Sequence, residues 1–238
     1  MNPLFKTTLV ALTLVATSAL GHAQTITFAN FTQKYSGTPP VAPKVFEFVN
    51  TGNAATTGFT TTTLVNFTFL VNPSNPAIPV GTPIDANLTI TSLVDGFSTG
   101  NFVPSQKLKS VQISFTGTGA LAGQNLLTVF ASTGILSGSK GSATANLEET
   151  DNGSNQIVQY SSAFLDFSTS NQQNYSISLN NIDSPGLVHD GNFPSGYLAG
   201  FQANASGQFA SNAAFIPEPS TLALLSLGAL GLLRRRRK

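Results

Sequence analysis

The chain predicts an all-β fold, built as a single antiparallel β-sandwich of jelly-roll-like type, and three observations carry that expectation. Between residues 24 and 216, apolar and polar side chains alternate with period two far more often than with period 3.6, the signature of half-buried strands. Gly, Pro, Asn and Asp break the pattern about every ten residues, the spacing of short strands joined by turns. The chain has 18 phenylalanines and no cysteine, so its core must be held by apolar burial and not by disulfides. Each buried Phe contributes about 2–3 kcal/mol, enough collectively to stabilise an exported domain of this size.

The elements follow in order. Ile26 to Asn30, Val45 to Val49 and Leu64 to Val71 are the first three strands. Ala86, Leu88 and Ile90 then share one face, with Asp85, Asn87, Thr89 and Thr91 on the other. Val111, Ile113 and Phe115 alternate with Ser110, Gln112 and Ser114 in the same way. Leu126 to Ala131, Ala143 to Glu148, Ile157 to Phe167, Tyr175 to Asn180 and Phe201 to Phe209 complete ten strands. Ten short strands in 193 residues suit two packed antiparallel sheets, with a β-solenoid as the second choice. Asp151-Asn152-Gly153-Ser154 has the composition of a hairpin turn, because Asn-Gly tolerates positive φ. Asn72 to Pro76 with Pro79, Ser184 to Gly186 and Asn192 to Pro194 mark loops.

Composition narrows the function classes. Of 238 residues, 41% are hydrophobic and only 9% charged, against roughly 25% charged in ordinary soluble proteins. This is the profile of one exported β-rich domain. Absence of cysteine excludes thiolate zinc sites and cysteine nucleophiles as well as disulfides. The net charge of +1 conceals an asymmetry: residues 24–216 carry five lysines, no arginine and nine acids, a net charge of −4. Five scattered lysines do not make the basic surface that phosphate backbones require, so nucleic acid is not an expected partner.

The two ends carry addresses. Asn2 to Lys6 is a short basic n-region, Thr7 to Leu20 is apolar, and Gly21-His22-Ala23 presents small residues where a signal peptidase reads them. Residues 1–23 are therefore a signal peptide, cut between Ala23 and Gln24, and residues 24–216 form the extracellular domain. At the other end, Pro217-Glu218-Pro219 is held extended by its two prolines. Residues 220–233 are an apolar helix, and Arg234, Arg235, Arg236, Arg237 and Lys238 close the chain. Twelve to fifteen helical residues reach roughly 18–22 Å, short of the ~30 Å hydrocarbon core, so the segment crosses only with snorkelling cations and local thinning. The terminal cations keep the extreme C-terminus cytoplasmic and leave the body outside.

In the order and spacing of these parts, residues 217–238 closely resemble the PEP-CTERM sorting signal of exported proteins in Gram-negative bacteria. The resemblance covers about a tenth of the chain. It implies recognition of Pro217, Glu218 and Pro219 by exosortase, a membrane-embedded cysteine protease, and a transient anchor in the inner membrane before transfer to the surface or the medium. It also implies association with exopolysaccharide or biofilm. Signal peptidase and exosortase are then the export partners, with polysaccharide a further candidate.

The body offers little for catalysis. After export, His189 is the remaining histidine. A Ser-His-Asp arrangement would have to use it, with Asp183 or Asp190 orienting it, yet the sequence has no G-x-S-x-G elbow, and a loop histidine is read as solvated. Glu148, Glu149, Asp151 and Asn152 concentrate oxygen ligands suited to Ca²⁺ without the spacing of a calcium loop, so a solvated hairpin is favoured. No catalytic residue, metal or cofactor is assigned. The sequence therefore supports a non-catalytic surface or extracellular-matrix protein. The alternative is a carbohydrate-binding or adhesin module whose loop aromatics Phe193, Tyr197 or Tyr35 stack on sugar faces, weakened by the absence of Trp. A secreted hydrolase ranks last.

Overall fold

The structure is a computed structural model that describes residues 25–34, 46–149, 157–168, 170, 172–183, 185–191 and 196–212. Its strands are β1 (Ile26–Gln33), β2 (Phe46–Val49), β3 (Gly58–Phe69), β4 (Ile84–Val94), β5 (Ser105–Gly117), β6 (Asn125–Ser137), β7 (Thr144–Glu148), β8 (Val158–Ser161), β9 (Gln173–Asn180) and β10 (Phe201–Ser211). Every expected strand is present. β3 begins earlier than expected, because the outward Thr60 and Thr62 alternate with Thr61 and Thr63 on the inward side, a run of threonines that gives no apolar signal. β8 is shorter than expected, since the chain leaves the sheet after Ser161.

The sandwich expectation is corrected. All ladders are antiparallel, and β1, β3, β4, β5, β6, β7, β9 and β10 close into an eight-stranded barrel. Alternation tells which face of a strand is buried, but not whether the last strand returns to the first. Here β10 does return: it pairs with β1 from Ile26↔Ser211 to Thr32↔Ser206 and with β9 from Asn204↔Asn180 to Ser211↔Gln173. Closure leaves far fewer open edges than a sandwich would have to protect.

The registers define two poles. Ile26, Phe69, Ile84, Gly117, Asn125, Gln173 and Ser211 gather at one end, which we call the terminal pole because Thr25 and Asn212 leave from it. The opposite, distal pole carries the β4–β5 hairpin loop, residues 95–104, together with residues 185–191 and 196–200. Two positions around the ring are shared between strands. β1 lies between β3 and β10 at the terminal pole, and β2 takes that place distally through Phe48↔Phe59 and Phe201↔Phe48. Similarly, β6 pairs with β8 through Thr128–Ala131 and with β7 through Ile135–Ser137.

The interior is aromatic. Phe115 sits 4.9 Å from Phe67, 5.1 Å from Phe31 and 5.4 Å from Phe209, measured between ring centroids. These tilted and edge-on contacts suit the ring quadrupoles better than flat stacking. At the terminal pole Phe164 and Phe167 close the floor, packing on Phe69 at 5.9 Å and Phe28 at 5.0 Å. No helix among the described residues is long and apolar enough to cross a membrane. The expected signal peptide, the expected sorting helix and the expected turn at residues 151–154 lie outside the described residues.

Candidate functional site

The distal loop is short of apolar cover yet tightly fixed. Thr99 and Ser105 exchange both backbone hydrogen bonds, at 2.7 and 2.8 Å, and the Asp95 N–H donates to the Lys107 carbonyl at 2.8 Å. Beneath the loop the buried Gln106 donates to the Gly96 carbonyl at 2.9 Å and accepts from the Leu198 N–H at 3.3 Å. Ser98 ties the loop to the neighbouring one, because its N–H donates to the Gly196 carbonyl at 3.0 Å and its Oγ lies 2.7 Å from the same oxygen. Gly100 is required where it stands: its φ is +78°, and a Cβ would lie 2.3 Å from the Val103 carbonyl oxygen.

His189 is the staple between the two loops. Its Nε2 lies 2.8 Å from the Gly100 carbonyl, which only accepts, so Nε2 carries the proton. Its Nδ1 lies 2.5 Å from Ser98 Oγ. The expectation of a solvated loop histidine is thereby corrected, since the ring is half-buried and bonded through both nitrogens. A glycine-rich loop gave no local signal for this, because the partners come from 89 and 91 positions away. Of the two carboxylates considered beside it, Asp183 accepts from the Gln202 N–H at 2.9 Å and Asp190 from Asn50 Nδ2 at 2.9 Å.

What this framework holds out is aromatic. Phe102 is 81% exposed, Val103 59% and Phe97 54%, and Phe97 packs against Tyr197 with centroids 5.2 Å apart. Lys140 flanks them, donating its N–H to the Phe102 carbonyl at 3.0 Å and its ammonium to Asn101 Oδ1 at 3.4 Å. Of the three aromatics expected for sugar stacking, Tyr197 belongs to this patch, whereas Tyr35 and Phe193 lie outside the described residues. Phe97 and Phe102 were not singled out from the sequence. Nothing in a lone Phe marks it as exposed when most of the others are core.

At the terminal pole the barrel wall has an open seam. Among the described residues β8 and β9 form no ladder with each other. Along the seam runs a cleft of about 1070 Å³, lined by Glu149, Gln159, Ser161, Asp166, Gln173 and Asn174 among others. Side chains bridge it. The Glu149 carboxylate accepts the Tyr175 N–H at 2.7 Å, in the role a neighbouring strand's carbonyl would have, and the Tyr160 hydroxyl donates to the Asn174 carbonyl. Burial, and then the Glu149 charge, hold both Tyr160 and Tyr175 phenols above their ordinary ionisation range. The exposed Asp166 is held below the usual carboxylate range by the Ser168 N–H at 2.9 Å. Of the acidic group considered for calcium, Asp151 and Asn152 lie outside the described residues. Among the described residues no three acids or histidines converge as cation ligands.

The sequence-assigned export residues, Ala23, Gln24, Pro217 to Pro219 and Arg234 to Lys238, also lie outside the described residues. Their points of attachment do not. Ile26 pairs with Ser211, and the Asn212 N–H donates to the Gln172 carbonyl at 3.1 Å, so the body receives and releases the chain at one pole. Residues 215–238 match the family model of the PEP-CTERM protein-sorting motif. The chain thus carries a PEP-CTERM signal, which implies an exported protein of a Gram-negative bacterium sorted by exosortase through a C-terminal membrane-anchoring segment. No curated protein and no solved structure matches it.

Proposed function

We propose that this is a non-catalytic cell-surface or extracellular-matrix protein, delivered by signal peptidase and exosortase and associated with exopolysaccharide. The observation that supports it most is the sorting motif on a barrel whose two ends leave from the same pole. While the tail is in the inner membrane, the terminal pole faces the lipid and the distal pole faces away. The short apolar segment, residues 220–233, followed by five cations, acts as a temporary hold, and Pro217-Glu218-Pro219 is the cleavage handle.

Cell fractionation tests this reading. The protein is expected with the extracellular polysaccharide, and replacing Pro217, Glu218 and Pro219 by alanine is expected to strand it in the inner membrane. Recovery of the unaltered protein as a soluble periplasmic species would overturn it.

The second reading, a carbohydrate-binding or adhesin module, is favoured by one feature, the exposed Phe97 and Phe102 side chains on a fixed loop, with the half-buried Tyr197 packed against Phe97. The two readings are compatible, since a matrix protein needs some surface that holds the matrix.

A further inference from the structure

We propose that the distal loop is a saccharide-binding surface, in which the Phe102 ring and the Phe97–Tyr197 pair stack on sugar faces while Asn101 and Lys140 take hydroxyls. This rests on the association with exopolysaccharide proposed above and assigns it to named residues.

The loop's construction separates it from an ordinary hairpin tip. The exposed part of an aromatic ring adds little to the stability of the barrel, and a loop tip without function has no need of fixed geometry. Here residues 95–100 are held from below by Gln106, from the side by Ser98 and His189, and across by the Thr99–Ser105 pair. Fixing a loop in advance lowers the entropy lost when it binds, which is the usual reason to invest hydrogen bonds in one.

Three observations select a sugar. Phe97, Phe102 and Val103 together present roughly 300–400 Å² of apolar surface, taking about 150–250 Å² for a whole aromatic side chain. A stable protein partner needs about 800 Å² per side, so the patch fits a few sugar rings and not a second copy of this chain. The body ends at the opposite pole, with Ser211 paired to Ile26, which on the reading above leaves the patch facing away from the membrane. The apolar rings are also bordered by an amide and an ammonium, Asn101 and Lys140, whose hydrogen-bonding groups a lipid interior would leave unsatisfied.

The test uses the protein as the bacterium secretes it, with Phe97→Ala and Phe102→Ala singly and together. Val80→Ala, at a 43% exposed position in the β3–β4 connection, serves as the control. Binding is measured to the bacterium's own exopolysaccharide, a neutral β-glucan, a polyuronate, and phosphatidylethanolamine–phosphatidylglycerol vesicles. Each ring removed is expected to weaken polysaccharide binding about two- to tenfold, with Val80→Ala unchanged and every variant keeping the parent circular dichroism. Undiminished polysaccharide binding by the double variant would overturn the site and leave the matrix reading standing. No polysaccharide binding by the parent protein would overturn both. Vesicle binding that depends on Phe102 would overturn the saccharide assignment in favour of a lipid.

Discussion

Ser98 Oγ and His189 Nδ1 lie 2.5 Å apart although 91 positions separate the two residues, and the contact locks the β4–β5 loop to the segment leading into β10. His189→Ala removes this bond and the one to Gly100. It is expected to cost about 1–3 kcal/mol, at about 0.5–1.5 kcal/mol net per hydrogen bond, and to lower Tm by several degrees. Hydrogen exchange should accelerate at residues 96–104 and stay unchanged in β5 and β6. Exchange that is unaffected in the loop would show that the histidine is not what fixes it.

The aromatic interior makes a second prediction. Phe115 touches three other rings and is fully buried, so Phe115→Ala leaves a large cavity among groups that cannot collapse independently. A loss of about 3–5 kcal/mol is expected in denaturant unfolding. Less than about 1 kcal/mol would mean that the four rings do not form the centre of the core.

Gly58 opens β3 against Ser92 of β4. A Cβ there would lie 1.9 Å from the Ser92 carbonyl oxygen, and backbone cannot swing aside as a long side chain can. Gly58→Ala must therefore part the strands at the distal pole, at a cost of about 1–3 kcal/mol. Thermal unfolding of this variant checks it, with an unchanged midpoint as the contrary result.

Tyr160 and Tyr175 link the seam to pH. Both phenols ionise above the ordinary value near 10 while folded and at that value when unfolded. The stability they lend is therefore complete below about pH 10 and is lost as pH rises through the raised folded values. Tyrosinate absorbance should rise together with the loss of near-ultraviolet circular dichroism. Glu149→Gln removes the charge that reinforces the shift, so both phenols should titrate at lower pH in that variant. Full tyrosine titration near pH 10 with the dichroism intact would contradict the burial of these side chains.

Ten strands were legible in the sequence because most carry their own period-two pattern, as Ala86–Thr91 does. The barrel was not, since closure depends on β10 meeting both β1 and β9, and pairing over 170 residues leaves no local trace. The start of β3 was missed for a related reason: its outward Thr60 and Thr62 alternate with buried residues that are Phe59 and the polar Thr61. The sorting motif was legible in full, because a prolyl tripeptide, an apolar run and a basic end are read directly from chain order. The distal loop was legible only through Tyr197. Its framework of Ser98, Gln106 and His189 exists only once the fold brings three separate segments together.

The intact mass of the protein recovered from outside the cells tests the account most directly. An exported barrel released from its temporary anchor is expected to begin at Gln24 and to lack Arg234 to Lys238. A mass that still includes the five terminal cations would contradict release, and one that still includes residues 1–23 would contradict cleavage at Ala23.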